Sequence, residues 1–359
     1  MKIDPKEYIT LSSEVLDSLI DDGGFYELSV KENLDSFDIT NLLNNYNDVN
    51  EDMINVIKNN FDHLKSIKNI LEDQIQNTFN QLLIDLFSQF NNSTSLKYLN
   101  TCKRNYLKGK APDCSFIYKN VNIYPDDEHE SLQHFVVCVG ELKSSIKSID
   151  APKAVRQLLH YMAHILQIQQ RGKVYGFITN INSIRFYCAK QENDTSIVYY
   201  QSEYFQMFYG LPKTSSSSSS SSSFVNQINT SAPTRYFNEK TLKIFIKFLT
   251  MDTNFYGYTT LNINTDDYLY DDIFHIKMGL GNGATSFVYL LANNDKLINN
   301  PICSIIKISK HDKYSKYFIN EVKILEKLKT SNSNKFDLFF ENIFSYSPTG
   351  KICLLKKNF

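Results

Sequence analysis

Between residues 70 and 90 the apolar side chains Leu71, Ile75, Phe79, Leu82, Leu83, Leu86, Phe87 and Phe90 recur every three or four positions. That spacing places them on one face of an α-helix and predicts that the face is core. Two strand-like runs follow, around 114–118 and 134–143, separated by the acidic, turn-rich stretch YPDDEHES. They predict an antiparallel hairpin with a long loop. Asp150 then offers an N-cap, and Pro152 sits in the first turn of a second helix. Its apolar stripe is Val155, Leu158, Leu159, Met162, Ile165 and Leu166, and its expected stop is Gly172. The runs VYGFITN, IRFYCA and SIVYYQ complete the strand set. The order helix, hairpin, helix, strands predicts an α/β fold, a mixed sheet flanked by helices.

The periodicity lapses at residues 215–223, an unbroken serine run. The polar stretch around it has too little apolar surface to offset the entropy of ordering. The expected organisation is a helical N-terminal region at 1–60, an α/β module at 61–210, a linker at 211–235 and a second α+β module at 236–359. In that second module FNEKTLKIFIKFLT reads as an amphipathic helix of unclear attachment. DIFHIKMGLGNGATSFVYLL reads as strand, glycine turn, strand; PICSIIKIS is a further strand and YFINEVKILEKL a helix. The segment DLFFENIFSYSPTGKICLLKKNF supplies two more strands.

With 359 residues and 42% hydrophobic content the chain can build two ordinary cores. A net charge of −1 gives no global footprint for nucleic acid or membrane. One local footprint exists: Lys97, Lys103, Arg104, Lys108 and Lys110 fall in a stretch free of acids and interleaved with Tyr98 and Tyr106, a pattern compatible with phosphate contact. The six cysteines form no CxxC and read as reduced core residues. No apolar run approaches the roughly 20 residues that span a bilayer, and no leader pattern opens the chain. An intracellular protein, cytoplasmic or nuclear, with no membrane partner is expected.

Candidate chemistry in the first module lies at Pro112-Asp113 and Glu141-Leu142-Lys143. Strand alternation puts Val137, Val139, Glu141 and Lys143 on one face. If Asp113 joins from the partner strand, two carboxylates about 4 Å apart repel by roughly 4 kcal/mol at an effective dielectric near 20, and the pair wants a cation. Mg²⁺ or Mn²⁺ suits such oxygen ligands and turns bound water into a nucleophile. These residues resemble the PD-(D/E)XK nuclease superfamily. The resemblance implies Asp113 and Glu141 as metal ligands, Lys143 as the group that orients water or stabilises phosphate charge, and nucleic acid as substrate. It also implies a Gln-x-x-x-Tyr pair, matched by Gln157 and Tyr161 on the helix face opposite the apolar stripe. Glu72 is a further candidate carboxylate. His160 and His164 stand at i and i+4 without an evident third ligand and are expected on a solvated or substrate-facing helix edge.

In the second module, Gly281-x-Gly283-x-x-Ser286-x-Val288 is followed by Lys307 and Glu321. The set resembles the N-terminal lobe of the protein-kinase superfamily. The resemblance implies a nucleotide cradle built from Gly279, Leu280, Gly281, Asn282, Gly283, Ala284, Thr285, Ser286, Phe287 and Val288, with Gly279 countable as a first loop glycine. It implies a Lys307–Glu321 ion pair. Val322, Leu325 and Leu328 are expected on the core face behind Glu321. No His-Arg-Asp loop and no Asp-Phe-Gly occurs in the sequence, so no kinase activity and only weak ATP binding are expected, with an exposed apolar face open to a protein partner. Together the two resemblances are similar to Crinkler-like nuclease-kinase fusions. By motif strength the leading expectation is an inactive kinase-like protein with a residual ATP site, fused to a nuclease-like domain. The alternatives are a Mg²⁺-dependent nuclease and a non-catalytic interaction protein.

Overall fold

The apolar stripe that begins near residue 70 folds as a helix, and the strands expected after it pair into one sheet. The computed structural model describes residues 34–44, 49–64, 69–90, 93–123, 130–193, 196–210, 235–258, 274–293, 304–310, 312–331, 342–346 and 352–356. In chain order the first part comprises β1 (Leu34–Ser36), α1 (Ile39–Leu43), α2 (Glu51–Phe61), α3 (Glu72–Phe90), β2 (Leu96–Asn100), β3 (Cys114–Tyr118), β4 (Val136–Leu142), α4 (Pro152–Gln169), β5 (Lys173–Thr179), β6 (Ser183–Asn193), β7 (Ser196–Gln201), β8 (Phe205–Gln206) and β9 (Phe208–Gly210). It continues through β10 (Arg235–Phe237), α5 (Glu239–Leu249) and α6 (Thr253–Tyr256). The remainder is β11 (Phe274–Asn282), β12 (Ser286–Asn293), β13 (Ser304–Ser309), α7 (Ser315–Ser331), β14 (Asn342–Tyr346) and β15 (Ile352–Lys356).

The first eight strands form a mixed sheet of order β1-β7-β6-β5-β4-β3-β2, with β8 on β6. Strands β2, β3 and β4 run antiparallel to one another, and α4 then crosses over to place β5 parallel to β4. Alternation along β5 assigns the two helical layers. A Cβ on Gly176 would meet Leu158 and Met162 of α4, so that face carries α4. The adjacent Phe177 packs from the other face against Phe79 of α3 and Phe245 of α5, with ring centroids 6.3 and 5.5 Å apart. Gly140, opposite Phe177, leaves the space its ring occupies.

Several expectations change. The α4 N-cap is Ala151, without a side-chain cap bond, and Asp150 instead accepts from Arg185 at 2.7 Å. The helix stops at Gln170, whose φ of 51° is left-handed, two residues before the expected Gly172. Strand β2 was not anticipated; its five residues, LKYLN, include a lysine and no alternation strong enough to declare a strand. The N-terminal region is helical at α1 and α2, but β1 joins the sheet parallel to β7. The second module is expected to begin at residue 236, with the attachment of the helix at its start left open; in the structure β10 pairs with β9, and Phe245 and Phe248 of α5 contact Phe79, Phe177 and Phe186. Residues 235–258 therefore pack with the first sheet. The serine run lies outside the described residues, as do 1–33.

The second part is a five-stranded antiparallel sheet of order β11-β12-β13-β15-β14. Phe287, Tyr289, Leu291, Ile306 and Ile308 share one buried face, while Val288 lies opposite Lys307 on the other. Of the residues expected behind Glu321, Val322 is buried, Leu325 half-buried and Leu328 39% exposed. With Tyr317 and Ile324 also exposed, α7 presents apolar groups outward. Cys114, Cys138 and Cys188 are buried thiols and Cys102 is half-buried. Among the described residues no helix is long and apolar enough to cross a membrane.

Candidate functional site

The β3–β4 register pairs Cys114 with Gly140, so the preceding Asp113 comes level with the end of β4. There Asp113 Oδ2 accepts the Leu142 N–H at 2.8 Å. Glu141, 1% exposed, receives the Lys143 ammonium on Oε1. Lys143 also donates to Gln157 Oε1 at 3.3 Å, and Gln157 donates to the Tyr161 hydroxyl at 2.7 Å. Tyr161 closes the ring by donating to the Ala111 carbonyl at 3.4 Å. Asp113, Glu141, Lys143 and Gln157 thus meet at one end of β4 beneath α4. Gln157 is half-buried and Tyr161 is buried at 3%, because α4 is covered on most of its circumference.

Burial raises Glu141 to about 8, with Asp113 adding to the rise and Lys143 opposing it. Burial likewise raises Asp113, against the Leu142 N–H and the Lys143 charge. Glu141 Oε2 has no hydrogen-bond partner among the described residues. An orphaned carboxylate oxygen out of water is costly unless a proton or a cation satisfies it. Among the described residues no group of three or more His, Cys, Asp and Glu side chains gathers for a metal ion. Two carboxylates nonetheless fit a hard divalent ion that keeps several waters of its own.

Glu72 pairs with Lys147 at 3.1 Å on the rim; its charge is felt by both Asp113 and Glu141. His160 and His164 are buried, not solvated, with ring centroids 4.2 Å apart, and burial lowers His164 to about 3. Of the basic stretch, Lys97 reaches Asn122 at 3.2 Å from β2. Tyr98 donates to Asn80 at 3.1 Å. Sequence reasoning missed Gln76, buried on α3, whose amide donates to the Asp113 carbonyl at 3.4 Å. It also missed the Thr101–Ser115–Tyr106 hydroxyl cluster, with contacts of 2.8 and 2.6 Å. A polar residue at a core position of α3 was the available signal for Gln76.

In the second sheet Lys307 Nζ donates to both oxygens of Glu321, at 2.8 and 2.6 Å, and lies 5.2 Å from the Phe318 ring centroid. The Gly283 N–H closes the β11–β12 turn on the Ser286 carbonyl at 2.9 Å. A Cβ on Gly281 would meet nothing within 4 Å among the described residues. Gly279 differs: its Cβ would lie 2.9 Å from Ser131 Oγ, so close approach of the first part accounts for it. Phe287 and Tyr289 face the same way, with His134–Phe287 centroids at 4.5 Å, Phe135–Tyr289 at 5.2 Å and Tyr289 Oη to His134 Nδ1 at 2.9 Å. A cavity of about 220 Å³ at this junction is lined by Gln133, His134, Gln169, Asn282, Phe287 and Lys310, among others.

Among known families, residues 72–172 fit the model of a domain of unknown function, DUF6826. The span begins at Glu72 and contains Asp113, Glu141, Lys143 and Gln157. No curated protein and no solved structure matches the chain.

Proposed function

We propose that the chain is a metal-dependent phosphodiesterase of PD-(D/E)XK type acting on nucleic acid. The observation that carries the reading is the buried Glu141 with its orphaned Oε2, set beside Asp113 and gripped by Lys143. Such a group in a folded interior is a functional-site signal. The run α3-β2-β3-β4-α4-β5, with β5 parallel to β4, supports the reading by bringing strand end and helix together. Asp113 and Glu141 would hold a divalent ion, which supplies Lewis acidity and a deprotonated water when bound. Gln157, fixed by Tyr161, keeps the Lys143 ammonium in place. That ammonium offers a fixed positive charge to the oxygens of a scissile phosphate. Gln76 holds the Asp113 backbone through its carbonyl, and the Leu142 N–H holds the Asp113 side chain and favours its charged form.

The test is incubation of purified protein with DNA and RNA, single- and double-stranded, in Mg²⁺ or Mn²⁺, beside Glu141→Ala and Lys143→Ala. Cleavage lost in both variants is expected. Cleavage that persists in both, or none from folded wild-type protein, removes the reading.

A second reading belongs to the second sheet: a kinase-like lobe that binds a nucleotide weakly without transferring phosphate. Its support is the bidentate Lys307–Glu321 pair together with Gly281, where no described residue lies within 4 Å of the missing Cβ. Nucleotide-dependent thermal stabilisation abolished by Lys307→Ala is expected; equal shifts in wild type and variant would count against it.

A further inference from the structure

The chain between β2 and β3 leads into Asp113, and its backbone is strained. Lys103 has φ 65° and Lys108 φ 45°, followed by Gly109 at φ 76°. At Lys108 and Gly109 the left-handed backbone is what a two-residue hairpin turn closed by Leu107 and Lys110 requires; at Lys103 it crowds the Cβ against the next carbonyl. Strain of this kind persists only where the surroundings impose it, and it concentrates at functional sites. The surroundings here are well defined. Thr101 donates to the Pro112 carbonyl at 2.7 Å, Tyr106 meets Ser115 at 2.6 Å, and the Leu107 and Lys110 backbones exchange bonds of 3.1 and 2.9 Å. Tyr106 and Leu107 are buried at 5% and 0%. The apolar residues of the loop therefore anchor it, while Lys103 and Lys108 are exposed.

Lys103 lies on the side of the carboxylate centre, and Lys108 lies near His164 of α4. Thr101 is bonded to the residue before Asp113, and the intervening Cys102 feels the charges of both Asp113 and Glu141. Lys103 approaches Asp73 at only 3.9 Å, with both side chains more than 80% exposed, a loose contact that leaves the ammonium accessible. On the other side, exposed Lys153 stands one turn before Gln157 on the same face of α4. What the loop lacks is equally informative. Proteins that hold single strands stack bases on exposed aromatic rings, and both tyrosines of this stretch are committed inward: Tyr106 is buried, and the Tyr98 ring lies 5.7 Å from Phe116. Cationic contacts without stacking platforms suit a duplex backbone.

Resting on the hydrolytic reading of the adjacent centre, we propose that the loop 101–110 is a phosphate-contacting rim that selects double-stranded nucleic acid, with Lys103 and Lys108 as its direct contacts. Binding is sequence-independent and salt-dependent.

The experiment measures binding of a fluorescent duplex, and of one of its strands, to full-length protein in EDTA across a salt series, for wild type and Lys103→Gly/Lys108→Gly. Glycine relieves the left-handed strain, so the double variant should be at least as thermally stable as wild type. Wild type should bind duplex more tightly than single strand. The double variant should lose roughly 30-fold in duplex affinity at 0.15 M salt, and its log–log salt slope should flatten by about 1.8, two phosphate contacts at about 0.9 each. Single strand bound as tightly as duplex, or a folded double variant that binds duplex like wild type, overturns the rim even if wild type cleaves. Conversely, protein that binds duplex through these lysines but cleaves nothing keeps the rim and loses the hydrolytic reading.

Discussion

Glu141 sets the proton balance of the carboxylate centre. Its pKa rises from 4.5 to about 8 in the folded protein, chiefly through burial. The folded state therefore holds the proton more tightly than the unfolded chain does. The resulting stability is complete below the unfolded value and is lost as pH climbs through 8. Metal-free protein should accordingly lose on the order of 3 kcal/mol between pH 5 and pH 8, at about 1.36 kcal/mol per unit. Glu141→Gln, which needs no proton, should flatten that decline. A divalent ion requires the carboxylate form, so its stabilising effect should grow with pH over the same interval. Calorimetry at pH 5 and pH 8, with and without Mn²⁺, reads all three; a metal-free wild type whose stability is flat or rising would mean that Lys143 keeps Glu141 ionised. The closeness of Glu141 and Lys143 was legible in the sequence because strand alternation is a local rule, whereas Asp113 and Gln157 were singled out only through the motif resemblance. Gln76 and the Leu142 N–H were not, because they reach Asp113 only through the approach of α3 and the β3–β4 register.

At the scale of elements, β4 carries the centre on one face and a tight core on the other. A Cβ on Gly140 would sit 2.4 Å from Phe177 Cζ. That ring is hemmed in by Phe79, Phe116 and Phe245, with centroids at 6.3, 6.0 and 5.5 Å. Gly140→Ala should thus cost about 1–3 kcal/mol as an overpacked core, and should depress cleavage through the adjoining Glu141; a denaturant melt equal to wild type would show that the ring can yield. Helix α5 illustrates the limit of pattern reading. Its amphipathic stripe announces a buried face and says nothing about which sheet covers it. The covering sheet turned out to be the first, across the serine run. Phe245→Ala should therefore destabilise that sheet by about 3–5 kcal/mol, detected as loss of protection in β5 by hydrogen exchange. Protection lost only in β11–β13 would reassign the helix. Strand β2 and the Gln170 stop escaped notice for a related reason: a short edge strand and a left-handed glutamine carry no signature of their own.

Across the whole molecule, the glycine strands rest on the first sheet's supports instead of standing apart from them. Ile276 bridges Ile123, Ser131 lies under Gly279, and His134 and Phe135 meet Phe287 and Tyr289. This junction was invisible in the sequence because each partner already had a local explanation, Gly279 as a loop glycine above all. Phe135 immediately precedes β4, so the contact bears on the strand that ends in Glu141. His134 makes the junction sensitive to acid. Burial lowers it to about 4, with Lys310 adding to the fall, and its Nδ1 meets the Tyr289 hydroxyl. A folded pKa below the unfolded value means that its contribution is whole above about 6.5 and erodes as pH falls toward 4. The two titrations then oppose each other. On going from pH 7.5 to pH 5, the first sheet should gain stability as Glu141 takes its proton, while the junction holding the second sheet weakens. Scanning calorimetry should show one broad unfolding event at pH 7.5 separating into two at pH 5, the higher from the first sheet. Tyr289→Ala should separate them at both pH values, since it removes the ring that spans the junction. A single transition that moves as a unit through the whole range, in wild type and variant alike, would mean that the two sheets share one cooperative core and that His134 does not govern their contact.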